Sequence, residues 1–215
     1  MRYGFFYGIG GELGALERVL ARLRDCDRIV SLGDLWGGAE DREAWERFEA
    51  LGERGIALSG PGERARAKDR SIPLDLRLRL RALPSSTVED GIAILGPPAP
   101  TTPGRRELAA TGGAPRLVAP LTIGAHPGAT RLWRSAGGLA RVSEPSPDAT
   151  LPLGGERLWL ELGRRPACAV VDLDRGVLML RDPSAPAEAL AAPAAPRLRS
   201  RRRRMVDARQ CLLAV

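Results

Sequence analysis

The first sixty residues alternate short apolar runs with turns and helical repeats, and this order restricts the fold more than any other feature of the chain. An apolar run at 3–7 ends in a glycine loop, after which leucines recur at helical spacing over 13–23. A second run at 28–32 ends in Gly33-Asp34, and a second helical repeat precedes a third run at 56–59. Elements in the order β-α-β-α-β predict parallel strands covered by helices.

The chain after residue 84 is richer in strand-like pieces. Short apolar runs occupy 92–95, 117–123, 158–162, 168–173 and 177–180. Asp174-Arg175-Gly176 predicts a hairpin turn between the last two runs. Residues 72–83 alternate leucine with charged residues, a pattern that fits both a strand and a helical face, so the sequence leaves both open.

Composition predicts one folded domain and a basic tail. The chain has 215 residues, of which 44% are hydrophobic, so it can bury a core of ordinary size. Its net charge of +7 is concentrated at 197–209, where seven arginines stand against one acid. A Pro/Ala-rich stretch at 182–196 predicts a linker before them. We therefore expect a domain over 1–183 and a linker with a tail over 184–215.

The tail is a candidate for binding nucleic acid or another acidic surface, because clustered arginines neutralise phosphates. A solvated tail without a partner fits the same composition. No aromatic residue lies between 182 and 215, so the base stacking that supports single-strand binding is missing. The arginines of this basic tail are Arg197, Arg199, Arg201, Arg202, Arg203, Arg204 and Arg209.

The sequence gives no sign of export or of a membrane anchor. No run approaches eighteen apolar residues, and the N-terminus has no small-residue cleavage site, so we expect a cytoplasmic protein without a membrane span. Cys26, Cys168 and Cys211 are scattered singly, which predicts reduced thiols and neither a disulfide framework nor a zinc site.

Three segments carry a resemblance to a known family. The chain resembles the small bacterial calcineurin-like metallophosphoesterases, a family of compact phosphodiesterases. The resemblance rests on the opening over 1–20, on the segment Ile29-Val30-Ser31-Leu32-Gly33-Asp34-Leu35 and on the closing hairpin over 169–177. The resemblance spans 1–183. It implies an α/β fold in which a two-sheet β-sandwich is flanked by helices, with two metal ions such as manganese, iron or zinc at one rim.

Most of the metal ligands that the resemblance implies are missing. Two-metal hydrolysis needs carboxylates and imidazoles that converge from several loops. The first family motif, Asp-x-His, falls on Gly8 and Gly10, which have no side chains. The second, Gly-Asp, is present, and Asp34 matches the carboxylate that bridges the two ions. The third, Gly-Asn-His-Asp, falls on Gly60-Pro61-Gly62-Glu63, so the asparagine ligand and the catalytic histidine are absent.

The remaining two motifs are also incomplete. His-Gly falls on Leu95-Gly96, and Gly-His-Thr-His falls near 124–127. His126 is the only histidine of the chain, and this count excludes a site built from several imidazoles. We therefore predict no catalytic residues and no metal cofactor. Asp34 is either a remaining metal ligand or a carboxylate that caps the loop after the second strand. A single-metal site of Asp34, Glu63 and His126 is the alternative.

The glycine loop supports a rival interpretation. Gly8-x-Gly10 between a strand and a helix resembles a dinucleotide-binding turn, and the N–H groups of Gly8, Gly10 and Gly11 are candidates for phosphate binding. No acidic residue follows the second strand at the distance where a ribose would be held. We interpret the chain as a pseudoenzyme that binds or scaffolds an unidentified protein partner. The alternatives are a reduced metal-dependent phosphoesterase that uses Asp34, and a phosphate or nucleotide sensor at 8–11.

Overall fold

We describe a computed structural model that covers residues 1–97, 120–125, 128–136, 139–146, 148–154, 157–163 and 168–183. At 135–136 and 139–142 only the backbone is described. The helices are α1 (Leu13–Arg22), α2 (Asp41–Glu49), α3 (Pro61–Arg66) and α4 (Leu74–Ala82), with a short 3-10 helix at Gly52–Arg54. The strands are β1 (Arg2–Phe6), β2 (Arg28–Ser31), β3 (Gly55–Ala57), β4 (Ser86–Glu89), β5 (Ile92–Leu95), β6 (Leu121–Ala125), β7 (Arg131–Ala136), β8 (Leu139–Ser143), β9 (Thr150–Pro152), β10 (Arg157–Leu162), β11 (Cys168–Asp172) and β12 (Val177–Arg181).

The strands form two mixed six-stranded sheets. The first has the order β3-β2-β1-β11-β12-β9, and the second has the order β4-β5-β6-β10-β7-β8. In the first sheet β1, β2 and β3 are parallel, whereas β11 runs antiparallel to β1. The predicted hairpin joins β11 to β12, with Asp172 opposite Val177. The predicted α/β fold, a two-sheet sandwich flanked by helices, is confirmed.

The alternation of side chains along β1 explains how one sheet serves two cores. Phe5 and Tyr3 point into the layer between the sheets, where they join Ile94 and Ile123 of the second sheet. Phe6 points to the opposite face and packs with residues of α1 and α2. Because successive strand side chains face opposite sides, an uninterrupted apolar run is what a doubly covered strand requires.

The structure decides between strand and helix for the alternating leucines of 72–83. Residues 74–82 are helical, with Leu80 buried and Leu76 and Leu83 packed against the core under the helices. The strand alternative for this segment is therefore wrong. Leucine and arginine both favour helix, and the buried leucines recur at helical spacing.

Two further predictions concern thiols and the membrane. Cys26 and Cys168 are buried free cysteines, as predicted, and burial raises the pKa of Cys26 to about 11. Within the described ranges no helix is both long enough and apolar enough to cross a membrane.

Candidate functional site

The candidate site lies at the edge of the first sheet where the parallel strands β1, β2 and β3 end. We call the residues that follow these strands the first loop (7–12), the second loop (32–40) and the third loop (58–60). The first two loops are joined by backbone hydrogen bonds: Gly10 N–H donates to the Asp34 carbonyl and Gly11 N–H to the Leu35 carbonyl, both at 2.8 Å. Carboxyl ends of parallel strands meet at one edge, which is why these loops converge.

Asp34 is buried between the loops, with 7% of its surface exposed. One carboxylate oxygen accepts the Gly62 N–H at 2.9 Å, and the other accepts the Tyr7 hydroxyl at 2.8 Å. The sequence predicted that a structural Asp34 would cap backbone N–H groups of the second loop itself. These two donors lie in the first loop and in α3, so Asp34 joins three segments at the rim. Its backbone has a φ of 54°, in the left-handed region that only a tightly held residue adopts.

Glu63 performs the capping that we expected of Asp34. It is 1% exposed, and its two oxygens accept N–H groups of four residues: Leu35 at 2.7 Å, Gly60 at 2.8 Å, Asp34 at 2.9 Å and Trp36 at 3.3 Å. Burial raises the pKa of Glu63 above its ordinary value, while hydrogen bonds from backbone N–H groups, among them those of Asp34, Gly60 and Leu35, oppose that shift. Glu63 therefore fixes the second loop against the start of α3.

A third carboxylate completes this arrangement. Asp41 accepts the N–H groups of Gly37 at 2.6 Å and Gly38 at 2.8 Å, and its other oxygen pairs with Arg66 at 2.7 Å. Five successive N–H groups, 34–38, thus donate to the side chains of Glu63 and Asp41. Successive N–H groups of this kind form an anion-binding concavity, and here the chain's own acids fill it.

The residues present do not fit the two-metal centre that the fold implies. A pair of ions needs several oxygen or nitrogen ligands free to coordinate. Asp34 and Glu63 already accept backbone hydrogen bonds, and Gly8 and Gly10 contribute no side chain. In the part of the chain that the structure describes, no group of three or more His, Cys, Asp or Glu is placed to hold a metal ion.

The backbone packs closely around two glycines of the rim, Gly33 and Gly62. A Cβ atom built on Gly62 would overlap the carbonyl oxygen of Trp36, and one built on Gly33 would lie 2.8 Å from the Cα of Gly60. Real Cβ atoms do not approach backbone atoms this closely, so any side chain at Gly62 must displace the second loop. Gly10 differs, because a Cβ there meets nothing within 4 Å, although its φ is 63°.

The donors of the glycine loop are engaged as well. Gly10 and Gly11 donate to carbonyls of the second loop, and Gly8 N–H donates to the Gly33 carbonyl at 3.3 Å. At the start of α1, Leu13 N–H donates to the carboxylate of Glu40 at 3.0 Å. A phosphate at 8–11 would have to replace these acceptors. Phosphate binding there stays a prediction.

His126 and the arginines of the basic tail are outside the described residues, so the single-metal alternative with His126 stays a prediction. The clamping roles of Tyr7, Glu40, Asp41 and Glu63 were not predicted. For Glu63 a signal exists, because Gly60-Pro61 followed by a glutamate at the third helical position is a helix-start signature.

The two sheets, the flanking helices and the convergent loops define a class of protein. The chain has the fold of the calcineurin-like metallophosphoesterases. It is similar to the crystal structure of a metallophosphoesterase from Sphaerobacter thermophilus, with 18% identity, a TM-score of 0.65 and coverage of 84% of this chain and 87% of that one. It is also similar to a hypothetical protein from Pyrococcus horikoshii OT3, with 15% identity, a TM-score of 0.56 and coverage of 88% and 90%.

Sequence comparison alone does not reach this family. No family model matches the chain, and no curated protein matches it in a sequence search. At the identities above, the likeness to solved structures establishes the fold and leaves the activity to be argued from the site.

Proposed function

We propose that this protein is a catalytically inactive metallophosphoesterase-like protein, a pseudoenzyme, that acts as a binding or scaffolding subunit for another protein. The observation that carries the proposal is the position of Gly62, which matches the family's catalytic histidine. The carbonyl oxygen of Trp36 lies too close to the place that a Cβ at this position would take. The loop arrangement thus has no room for the side chain on which the family's chemistry depends.

The hydrogen bonds at the rim support the same conclusion. Metal binding by Asp34 would compete with the N–H of Gly62 and the hydroxyl of Tyr7. Metal binding by Glu63 would leave up to four backbone N–H groups without an acceptor. A buried donor left without a partner costs about 1–3 kcal/mol, so the closed rim opposes metal binding.

A reduced metal-dependent phosphoesterase is the second candidate. It is favoured by the survival of Asp34 at the bridging position and by the likeness of the fold to a structure named as a metallophosphoesterase. In this case Asp34 would exchange the Gly62 N–H for a metal ion, and other ligands would come from residues outside the described ranges or from a partner. A phosphate or nucleotide sensor at 8–11 is the third candidate.

Metal content and turnover separate these functions. The purified full-length chain is equilibrated with manganese, freed of excess ion and analysed for metals, and hydrolysis of bis-p-nitrophenyl phosphate is followed alongside. We expect less than one ion per chain and no turnover above the protein-free control. One or two ions per chain, with turnover that Asp34→Asn removes, would establish the phosphoesterase instead. Stabilisation by nucleotides in a thermal-shift screen, without hydrolysis, would favour the sensor.

The scaffolding half of the proposal needs its own measurement. We would compare pull-downs from the native cell with the full chain and with a chain that ends at Pro186. A partner retained by both belongs to the domain, and a partner lost on truncation belongs to the basic tail. Recovery of no protein beyond the bead control with either chain would count against a scaffolding role.

A further inference from the structure

Helix α4 carries an apolar stripe on its exposed side. Among the described residues four large apolar side chains are exposed: Met1 at 40%, Leu74 at 59%, Leu78 at 52% and Val88 at 52%. Leu74 and Leu78 are separated by one helical turn, so they lie on the same face, and the exposed Ala82 follows one turn later. We call these three residues the α4 stripe. Leu80 and Leu76 already anchor the helix on the other side.

The stripe lies in a basic segment of the chain. Residues 61–83 hold seven basic and three acidic side chains, a net charge of +4, whereas the rest of 1–183 has a net charge of −2. Arg77 and Arg81 follow Leu74 and Leu78 by three positions and therefore flank the stripe. On its other flank, Arg79 pairs with Glu49 of α2. Asp41 and Glu49, which lie outside this segment, pair with Arg66 and Arg79, so the surface combines exposed leucines with the positive charge that remains.

We propose that the α4 stripe, with Arg77 and Arg81 beside it, is the docking face for an acidic amphipathic helix of a partner protein. The inference rests on the proposed binding role and names the surface and the chemistry of that partner. Apolar residues of the incoming helix would cover Leu74 and Leu78, and its carboxylates would meet the arginines. Charge complementarity selects this occupant.

Other occupants fit the same surface less well. A nucleic acid binds through phosphates and offers the exposed leucines no apolar surface in return. A second copy docking through the same face would bring two basic surfaces together. An anionic membrane would find only Leu74 and Leu78 to insert, because Leu76 and Leu80 pack against the core, and binding at a membrane surface scales with the apolar area that is buried.

A designed peptide can test the surface directly. The probe is a fluorescein-labelled helical peptide of about eighteen residues, with leucines along one face and glutamates on both flanks, titrated with the full-length chain at physiological salt. We expect saturable binding that weakens by about tenfold or more in the double variant Leu74→Ser/Leu78→Ser, because the apolar contact is lost. Val88→Ser removes an equally exposed apolar side chain from strand β4 and should leave the affinity unchanged.

The controls distinguish binding to the α4 stripe from binding to the basic tail or to a membrane. The basic tail is present in all variants, so acidic peptide held by the tail alone would bind the wild type and the double variant equally, and this would overturn the proposal. Absence of wild-type binding, or equal binding of a peptide with lysines in place of the glutamates, would overturn it too. Leucine-dependent binding to vesicles of phosphatidylglycerol and phosphatidylcholine, without peptide binding, would assign a membrane instead. Circular dichroism checks that the double variant is folded, and Leu78→Ser alone replaces it if it is not.

This test is independent of the turnover assay. Hydrolysis by the purified chain would refute the inactive role and leave the docking result standing. Peptide binding that is unchanged in Leu74→Ser/Leu78→Ser would refute the docking face and leave the proposal of an inactive enzyme unaffected.

Discussion

The rim of the first sheet and the outer face of helix α4 use their side chains in opposite ways. At the rim, Glu63 and Asp41 turn inward and accept the N–H groups of 34–38. On α4, Leu74 and Leu78 are more than half exposed, and none of the described residues buries them. Groups that are satisfied within the chain are poorly suited to bind a ligand, whereas exposed apolar groups gain by being covered. We therefore expect this protein to bind a partner through the surface of α4 and not through the rim.

Removal of the Glu63 carboxylate is expected to have the largest effect. Glu63→Ala leaves four backbone donors without an acceptor in a buried place, so we expect the free energy of unfolding to fall by roughly 3–5 kcal/mol. Urea denaturation measures this. Glu12→Ala is the matched control, since Glu12 is exposed at a helix start and makes no side-chain cap bond, and it should stay within about 0.5 kcal/mol. A loss in Glu63→Ala no larger than in the control would show that the rim is not clamped.

Addition of a methyl group at Gly62 tests the closed packing of the same rim. Because the new Cβ overlaps the Trp36 carbonyl, the second loop must move, and we expect Gly62→Ala to cost about 2–3 kcal/mol. Gly10→Ala is the contrast, because its Cβ meets open space and only the left-handed backbone opposes it, at about 1–2 kcal/mol. Thermal unfolding of both variants shows which of the two substitutions lowers the stability more. Gly62→Ala with wild-type stability would mean that the second loop moves at little cost and that the side chain of a catalytic histidine could be accommodated there.

The sequence predicted much of the fold, for a clear physical reason. Uninterrupted apolar runs such as 28–32 mark strands covered on both faces, and the absence of ligand side chains at Gly8 and Gly10 is visible from residue identity alone. The strands at 86–89, 131–136, 139–143 and 150–152 were missed, because they are short or alternate polar with apolar residues. Helix α3 was missed as well, since its six residues have no apolar repeat.

The clamps at the rim could not be predicted from the sequence. The Asp34 carboxylate bonds to a residue 28 positions away, and Glu63 bonds to the Asp34 N–H across 29 positions. Only the packing of the loops brings these groups together, and no local sequence pattern predicts that packing. The same holds for α4, where the choice between strand and helix depended on which leucines the core could bury.

Loss of the Asp34 carboxylate should have a smaller effect than loss of Glu63. Asp34→Ala removes the acceptor of the Gly62 N–H and of the Tyr7 hydroxyl, so we expect a loss of about 1–2 kcal/mol in the free energy of unfolding. Tyr7→Phe removes only the second bond and should lose about 1 kcal/mol. Urea denaturation of both variants is the measurement. An unchanged stability in Asp34→Ala would leave Asp34 without a structural role and would favour its reading as a metal ligand.

The smallest effect on stability is expected for exposed residues of α4. These substitutions test whether the outer face of α4 is as open to solvent as the comparison with the rim requires. Leu74→Ser and Leu78→Ser replace side chains that are already in contact with water, so each should change the free energy of unfolding by no more than about 0.5 kcal/mol. Leu80→Ser on the same helix is the control. Leu80 is 1% exposed, and its replacement removes a core contact and buries a hydroxyl, at roughly 3 kcal/mol. Urea denaturation of the three variants separates surface from core within nine residues of one helix. A loss of about 2 kcal/mol in Leu74→Ser or Leu78→Ser would mean that the free protein already covers the stripe, because an exposed leucine cannot contribute that much. The stripe would then be part of the protein's own packing, and the docking helix would have no place on it.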